Sequence, residues 1–106
     1  MSYRYMRVVV LFDMPVDTLD QRREYRQFRK HLIRDGFIMM QQSVYTKLAL
    51  NQTAATAIKA RVRKNKPKFG IVQMIALTEK QFSAMESVVG EVNSDTVDSD
   101  RKVVVL

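Results

Sequence analysis

A run of apolar residues near the start of the chain limits the fold more than any other feature. Residues Tyr5 to Phe12 read Y-M-R-V-V-V-L-F, with three consecutive β-branched valines. Such a run is typical of a central strand that is covered on both faces. Asp13, Met14 and Pro15 follow and predict that the strand ends at a carboxylate, because proline cannot continue the pairing of a central strand.

A helix is predicted after this strand. Either Asp17 or Thr18 can cap its start, and Gly36 supplies a stop after Asp35. The apolar residues of its buried side recur every three or four positions and are Tyr25, Phe28 and Leu32. This spacing predicts one amphipathic helix from the cap to about Asp35.

The stretch from Phe37 to Leu50 is rich in β-forming residues but too long for one ordinary strand. It contains no Asn-Gly pair of the kind that marks a tight turn. We therefore expect two strands joined by a bend or a tight hairpin near Tyr45.

A second helix and a further strand follow. Asn51 or Thr53 begins the helix, which ends in a basic stretch before Pro67 and Gly70. The residues on its core side are Ala54, Ala55, Ile58 and Val62. Residues Ile71 to Leu77 are apolar and predict another buried strand.

The remaining residues predict shorter elements. T-E-K-Q at 78–81 has the spacing of a capping box, so a short helix through Met85 is expected. Val88 to Val92 predict a brief edge strand. Residues 93–100 have the polarity of a linker, and Lys102 to Leu106 predict an apolar strand that needs a sheet edge.

This order of elements predicts an α+β ferredoxin-like sandwich, in which two helices cover one face of a sheet. A domain of 106 residues cannot leave the other apolar face in water, so we expect a two-fold homodimer. Residues 1–92 then form the domain. Residues 93–106 form a linker and a C-terminal strand that pairs with a sheet edge of the partner.

Positive charge is concentrated in the middle of the chain. Residues 22–68 contain thirteen lysines and arginines against Glu24 and Asp35, whereas the whole chain has a net charge of +7. This field favours a polyanion such as nucleic acid. An anionic membrane is less favoured, because the basic segments lack a broad apolar face. The absence of cysteine and of a long apolar run predicts a soluble, cytoplasmic protein without a thiolate metal site.

Two basic clusters are candidates for contact with phosphates. The first lies beside the apolar stripe of the first helix and consists of Arg22, Arg23, Arg26, Arg29, Lys30 and Arg34. The second consists of Arg61, Arg63, Lys64, Lys66 and Lys68. An ordinary solvated helix face carries interspersed acids, but only Glu24 interrupts the first cluster. The helix, about 27 Å long, approaches one turn of B-form DNA, about 34 Å, and can lie along its backbone.

Asp13 is the candidate for chemistry, although an aspartate before a turn proline is commonly structural. In a two-fold dimer, two copies of Asp13 can face each other, and carboxylates about 4 Å apart repel by about 4 kcal/mol at intermediate dielectric. A shared proton or a divalent cation relieves this repulsion. Oxygen ligands suit magnesium or manganese, which can polarise a phosphodiester. The lone histidine, His31, is expected to be solvated on the exposed side of the first helix.

Three sequence segments carry a family resemblance. They are V-V-V-L-F-D-M-P at 8–15, G-F-I-M-M-Q-Q-S-V-Y at 36–45 and T-E-K-Q-F at 78–82, and they occur with an arginine-rich helix and an apolar closing strand. Together they resemble CRISPR-associated protein 2, in the variant that accompanies type II systems. The resemblance spans nearly the whole chain.

The resemblance implies a homodimer that bridges two dimers of the CRISPR integrase, CRISPR-associated protein 1, and holds duplex protospacer DNA for insertion into the repeat array. Members of the family are also described as metal-dependent nucleases. Their aspartate at the end of the first strand corresponds to Asp13, and the serine of Q-S-V-Y corresponds to Ser43. A related toxin that cleaves messenger RNA is a third alternative. We expect DNA binding by a scaffold, with metal-dependent endonuclease activity as the alternative.

Overall fold

The fold is built around the strand that the apolar run predicted. A computed structural model describes residues 5–90 of the chain. The elements in this range are β1 (Met6–Asp13), α1 (Leu19–Arg34), β2 (Ile38–Gln41), β3 (Val44–Ala49), α2 (Gln52–Lys64), β4 (Ile71–Thr78) and α3 (Glu79–Ser83).

The four strands form one sheet in the order β2-β3-β1-β4, and every neighbouring pair is antiparallel. β1 lies inside the sheet, where Val10 pairs with Tyr45 of β3 and with Met74 of β4. The strand and helix order, with α1 connecting β1 to β2 and α2 connecting β3 to β4, is that of a ferredoxin-like α+β sandwich. The predicted fold class is confirmed.

The core lies between the sheet and the two long helices. β1 contributes Val8, Val10 and Phe12, which point to the same face because alternate residues of a strand do so. The helices contribute buried residues at the predicted spacing, namely Phe28, Leu32, Ala55, Ile58 and Val62. The rings of Phe12 and Phe28 meet edge to face with their centroids 5.4 Å apart, which anchors α1 on β1.

The ends of the long helices are fixed by local side chains. Thr18 and Gln21 form a capping box at the start of α1, and Asn51 caps α2. After α1, Gly36 takes a φ of +95°, a backbone conformation that glycine adopts without strain. In the described part of the chain, no helix combines the length and the apolar character needed to cross a membrane.

The hairpin between β2 and β3 turns earlier than the sequence suggested. Gln42 and Ser43 form the turn, whereas Tyr45 lies inside β3 and is fully buried. The predicted tight hairpin is therefore confirmed, but its turn lies two residues before Tyr45. Only glycines have a positive φ among the residues described, so this turn does not require an Asn-Gly pair. A register shift between Met39 and Gln41 precedes the turn and adjusts the pairing of β2.

β4 is not the buried strand that the sequence predicted. It lies at an edge of the sheet that residues 5–90 form, and its exposed residues alternate with half-buried ones. Ile71 and Ile75 are 60% and 49% exposed. Alternate residues of a strand face opposite sides, so this pattern shows that only one side of β4 is covered.

The last described residues also differ from the prediction. The capping box at Thr78 is present, but α3 ends at Ser83 instead of Met85. Residues 88–90 form a bend where a strand was expected. The other two residues of that strand, the linker and the predicted C-terminal strand, residues 91–106, lie outside the described range.

The sheet face opposite the long helices is partly bare. Its large exposed apolar side chains include Leu11, Leu48 and Ile75. At one end of this face, Arg7 donates to both carboxylate oxygens of Glu79 at 2.9 and 2.6 Å and lies 4.6 Å from the ring centre of Phe82. These contacts fix α3 over the end of β1 that begins at Met6, and within residues 5–90 they leave the opposite end, near Asp13, uncovered.

Candidate functional site

Asp13 is the last residue of β1, and its exposed side chain lies on the bare face of the sheet. The backbone N–H of the preceding residue, Phe12, donates to the carbonyl of Ser43 at 3.0 Å. On the other side, Asp13 pairs with Ile71 of β4. The fold therefore brings Asp13 and Ser43 to neighbouring strand ends, and both side chains are accessible to solvent.

Gly70 packs against the backbone beside Asp13. A Cβ atom at this position would lie 2.7 Å from the carbonyl oxygen of Asp13 and 2.9 Å from the Cα of Met14. Gly70 also has a φ of +92°, which a larger residue rarely adopts. Only glycine lets β4 begin so close to the end of β1. The sequence indicated that a helix or strand ends near Gly70. No sequence pattern indicated that Gly70 contacts Asp13, which lies 57 positions earlier.

The residues around Asp13 fit a divalent cation only in a paired molecule. Within residues 5–90, no three His, Cys, Asp or Glu side chains lie close enough together to hold a metal ion. One protomer thus offers the single carboxylate of Asp13, which forms no hydrogen bond or ion pair in this range. Magnesium commonly takes one or two carboxylates and retains several waters, so a facing copy of Asp13 would supply a suitable second ligand.

Three cations on the outer surface of α1 are free of partners in the part of the chain described. Arg26, Lys30 and Arg34 are exposed and form no hydrogen bond or ion pair there. They are spaced four residues apart, and each step advances about 6 Å along the helix axis. We call this line, about 12 Å long, the α1 cation row.

The other three basic residues of the first cluster form contacts within the protein. Arg22 donates to two backbone carbonyls in the loop before α1, at 3.0 and 3.3 Å. Arg23 pairs with Asp20 at 3.1 Å, and Nε of Arg29 donates to the hydroxyl of Tyr45 at 2.7 Å. Of the three, only Arg23 is paired with a negative charge.

The second basic cluster is also divided. Nε of Arg61 donates to a carboxylate oxygen of Asp35 at 2.9 Å, and Lys47 donates to the backbone carbonyl of Asp35. Arg63 and Lys64 are exposed and form no such contact among the described residues. The structure therefore leaves Arg63 and Lys64 available to a ligand, whereas Arg61 joins α2 to the end of α1.

Two residues on the α2-facing side of α1 differ from expectation. Glu24 accepts the backbone N–H of Lys68 at 3.0 Å, so this carboxylate does not interrupt the outer surface of α1. His31 is half-buried, and its Nε2 atom has no exposed surface and no partner within the described range. The expectation that His31 is solvated is wrong, because residues 65–68 pack beside this side of α1.

Comparison with known proteins identifies the family. The family model described as "CRISPR associated protein Cas2" matches residues 6–85. A protein of Treponema denticola is 48% identical over 101 residues, which cover 95% of this chain and all of that protein. A relative from Streptococcus mutans is 48% identical, and the match covers 95% of this chain and 93% of the relative. A relative from Ligilactobacillus salivarius is 40% identical, and the match covers 95% of this chain and all of the relative.

All three relatives bear the name "CRISPR-associated endoribonuclease Cas2". The matched residues include β1 with Asp13, the turn at Ser43, the α1 cation row and Gly70, so the family match contains the whole candidate site. The chain belongs to the CRISPR-associated Cas2 family.

Proposed function

We propose that this protein is a cytoplasmic DNA-binding scaffold of CRISPR spacer acquisition. In this function a homodimer bridges dimers of the CRISPR integrase, CRISPR-associated protein 1, and holds duplex protospacer DNA. The observation that supports it best is the α1 cation row, whose three exposed charges have no partner in the described part of the chain.

The spacing of this row suits a nucleic-acid backbone. Successive cations of the row are about 6 Å apart along the helix, so the row is a straight line of charge that can follow one strand of the DNA backbone. Arg26, Lys30 and Arg34 can therefore each meet a phosphate of that strand without entering a groove. Arg63 and Lys64 add free charge at the end of α2. Contacts of this kind bind duplex DNA without reading its sequence.

The bare sheet face supports the dimer that the scaffold needs. Leu11, Leu48 and Ile75 are each more than a third exposed there, and burying them against a second copy removes apolar surface from water. In this proposal residues 1–92 form the dimerising domain. Residues 93–106 supply a linker and a strand that pairs with a sheet edge of the partner.

DNA binding is tested by salt titration of a row variant, Arg26→Gln with Lys30→Gln and Arg34→Gln. In a plot of log affinity against log salt concentration, the slope of the row variant should be less negative by about 2.7, because three phosphate contacts are lost. At 0.15 M salt this change weakens binding on the order of 100-fold. Lys80→Gln on α3 is the control for Lys30→Gln, since both residues are exposed lysines on helices. A row variant with an unchanged salt slope would contradict the proposal.

The integrase partnership requires a separate experiment. The protein is mixed with the integrase encoded beside it and with duplex DNA, and complexes are resolved by size-exclusion chromatography with light scattering. A complex of all three components supports the scaffold. A protein that forms no complex with the integrase but cleaves messenger RNA in cells would instead be the toxin-like nuclease.

A second function, metal-dependent cleavage of RNA or DNA, is favoured by the position of Asp13 and Ser43 at neighbouring strand ends and by the names of the relatives. The Asp13 carboxylates of two facing copies would hold a magnesium or manganese ion, which would supply the charge that polarises a phosphodiester. The hydroxyl of Ser43 could donate a hydrogen bond to a phosphate oxygen.

Asp13→Ala tests this second function. The substitution should abolish magnesium-stimulated cleavage while the dimer and the DNA salt slope stay as in the unmodified protein, because Asp13 lies on the sheet and not among the free cations. Ser43→Ala should reduce cleavage less, since a serine hydroxyl carries no charge for the ion. Cleavage that survives Asp13→Ala at full rate would exclude the proposed nuclease site.

A further inference from the structure

A cleft lies between α1 and the residues that connect α2 to β4. Residues 65–68 line one side of this α1 cleft, and its other side is lined by Glu24, Gln27, Phe28 and His31. Its volume is about 310 Å³, on the order of ten water molecules, so it admits a small polar ligand. One oxygen of Glu24 accepts the backbone N–H of Lys68 at 3.0 Å and ties the two sides together. The fold itself therefore forms the cleft.

Three side chains that line the α1 cleft are donors without a partner. Gln27, Lys66 and Lys68 are exposed, and their side chains form no hydrogen bond or ion pair among the residues described. Within the described chain, Glu24 is the only acid of the lining. Two ammonium groups against one carboxylate leave the cleft with an excess of positive charge.

This lining favours an anion over other classes of small ligand. A divalent cation needs several oxygen ligands, whereas here the one carboxylate lies among lysines. An apolar ligand needs apolar walls, but Phe28 is only 2% exposed and offers almost no surface. Lysine binds phosphate as a point charge, and the amide of Gln27 can donate to a phosphate oxygen. The donors of the cleft therefore suit a phosphate group.

The α1 cleft lies beside the α1 cation row. Gln27 and His31 each follow a member of the row, Arg26 and Lys30, by one position, which is a turn of about 100° around the helix. A duplex whose backbone lies along the row therefore brings its phosphates to this side of α1.

We propose that the α1 cleft is a phosphate-binding site and that a phosphate of the DNA backbone occupies it. Lys66 and Lys68 supply the positive charge, and Gln27 donates a hydrogen bond. The bond from the Lys68 N–H to Glu24 holds residues 65–68 against α1. This inference rests on the proposed DNA-binding function, because DNA is the source of the phosphate.

The first measurement uses inorganic phosphate and the chain's only histidine, His31, which lines the α1 cleft. The imidazole C–H signals of the full chain, without a histidine tag, are followed by NMR at constant pH while phosphate is added. Sodium chloride of equal ionic strength is the reference. Phosphate should shift the signals to saturation. In Lys66→Gln with Lys68→Gln, phosphate affinity should fall on the order of 10-fold or more, because charge-assisted hydrogen bonds are lost.

The second measurement titrates the same double variant with duplex DNA at several salt concentrations. Loss of one phosphate contact should make the slope of log affinity against log salt less negative by about 0.9, which weakens binding about 5-fold at 0.15 M salt. Lys80→Gln is the matched control in both measurements, since Lys80 is an exposed lysine on α3. Thermal unfolding checks that each variant retains the fold.

The outcomes separate the inference from the function on which it rests. Weaker phosphate binding and a reduced DNA salt slope in the double variant, with neither in Lys80→Gln, support the inference. Phosphate that shifts the His31 signals no more than chloride does overturns the phosphate site. An unchanged DNA salt slope in the double variant, beside a reduced one in the row variant, overturns the inference and leaves the DNA-binding scaffold in place. A protein that binds phosphate in the cleft but no duplex DNA overturns the proposed function and shows that free phosphate is the ligand.

Discussion

The outer surface of α1 and the contacts that join α1 to β3 and to α2 both use arginine and lysine, but they use the charge differently. On the outer surface, Arg26, Lys30 and Arg34 form no hydrogen bond or ion pair within the described chain. Among the joining contacts, which we call the inner contacts, Arg29 binds the hydroxyl of Tyr45 and Arg61 binds the carboxylate of Asp35. The first group is available to phosphates, whereas the second group connects α1 to β3 and to α2.

This difference shows that net charge overstates the surface available to DNA. The excess of thirteen cations over two acids in residues 22–68 counts both groups alike. The two acids, Glu24 and Asp35, are both engaged in contacts within the chain, where they accept from Lys68 and Arg61. Substitutions of outer cations should therefore change DNA affinity but not stability, and substitutions of inner cations should do the reverse.

The largest stability effect is expected from Arg29→Met. Methionine keeps apolar packing but leaves the hydroxyl of Tyr45, a residue with no exposed surface, without its hydrogen-bond donor. An unpaired buried hydroxyl costs about 1–3 kcal/mol, so the free energy of unfolding in urea should fall by about this amount. The DNA salt slope should stay unchanged.

A double-mutant cycle isolates the contact of Arg29 with Tyr45. Tyr45→Phe removes the hydroxyl, so Arg29→Met should cost much less in that background than in the unmodified protein. Equal costs in the two backgrounds would show that Arg29 stabilises the protein in some other way. If Arg29→Met reduces the DNA salt slope without loss of stability, Arg29 contacts DNA and belongs with the outer cations.

A smaller effect is expected from Asp35→Asn. The substitution keeps the shape of the side chain and removes the charge that holds Arg61 at 2.9 Å. Because the Arg61 side chain is 46% exposed, solvent screening reduces the loss to about 1 kcal/mol. Arg61 is then free to bind phosphate, so DNA affinity should rise slightly while stability falls. An Asp35→Asn protein with weaker DNA binding would contradict this division of the cations.

The sequence was sufficient for those features that depend on near neighbours. The spacing of Phe28 and Leu32 predicted the buried side of α1, and Thr78 with Gln81 predicted the start of α3. Both signals act over three or four residues. The sequence placed the turn of the hairpin too late because the Gln42–Ser43 turn uses ordinary backbone conformations, which do not require a particular residue type.

The site was only partly predictable, because its contacts join distant parts of the chain. The sequence predicted that Arg29 and Arg61 bind DNA. Their partners in the protein, Tyr45 and Asp35, are 16 and 26 residues away, so no local pattern indicated them. The approach of Gly70 to Asp13 depends on the pairing of β1 with β4. Such contacts are fixed by strand order and helix packing, and no local pattern encodes them.

The smallest effect is expected from Arg23→Gln. This substitution tests whether Arg23 belongs with the outer cations or with the cations that are held by contacts within the protein. Arg23 pairs with Asp20 at 3.1 Å, but both side chains are more than half exposed. Exposed pairs of this kind contribute about 0–1 kcal/mol, so we expect a change in unfolding free energy below about 0.5 kcal/mol. Because Asp20 already offsets its charge, the DNA salt slope should change less than for Arg26→Gln. Equal slope changes in the two variants would show that Arg23 leaves Asp20 when DNA binds and belongs to the outer group.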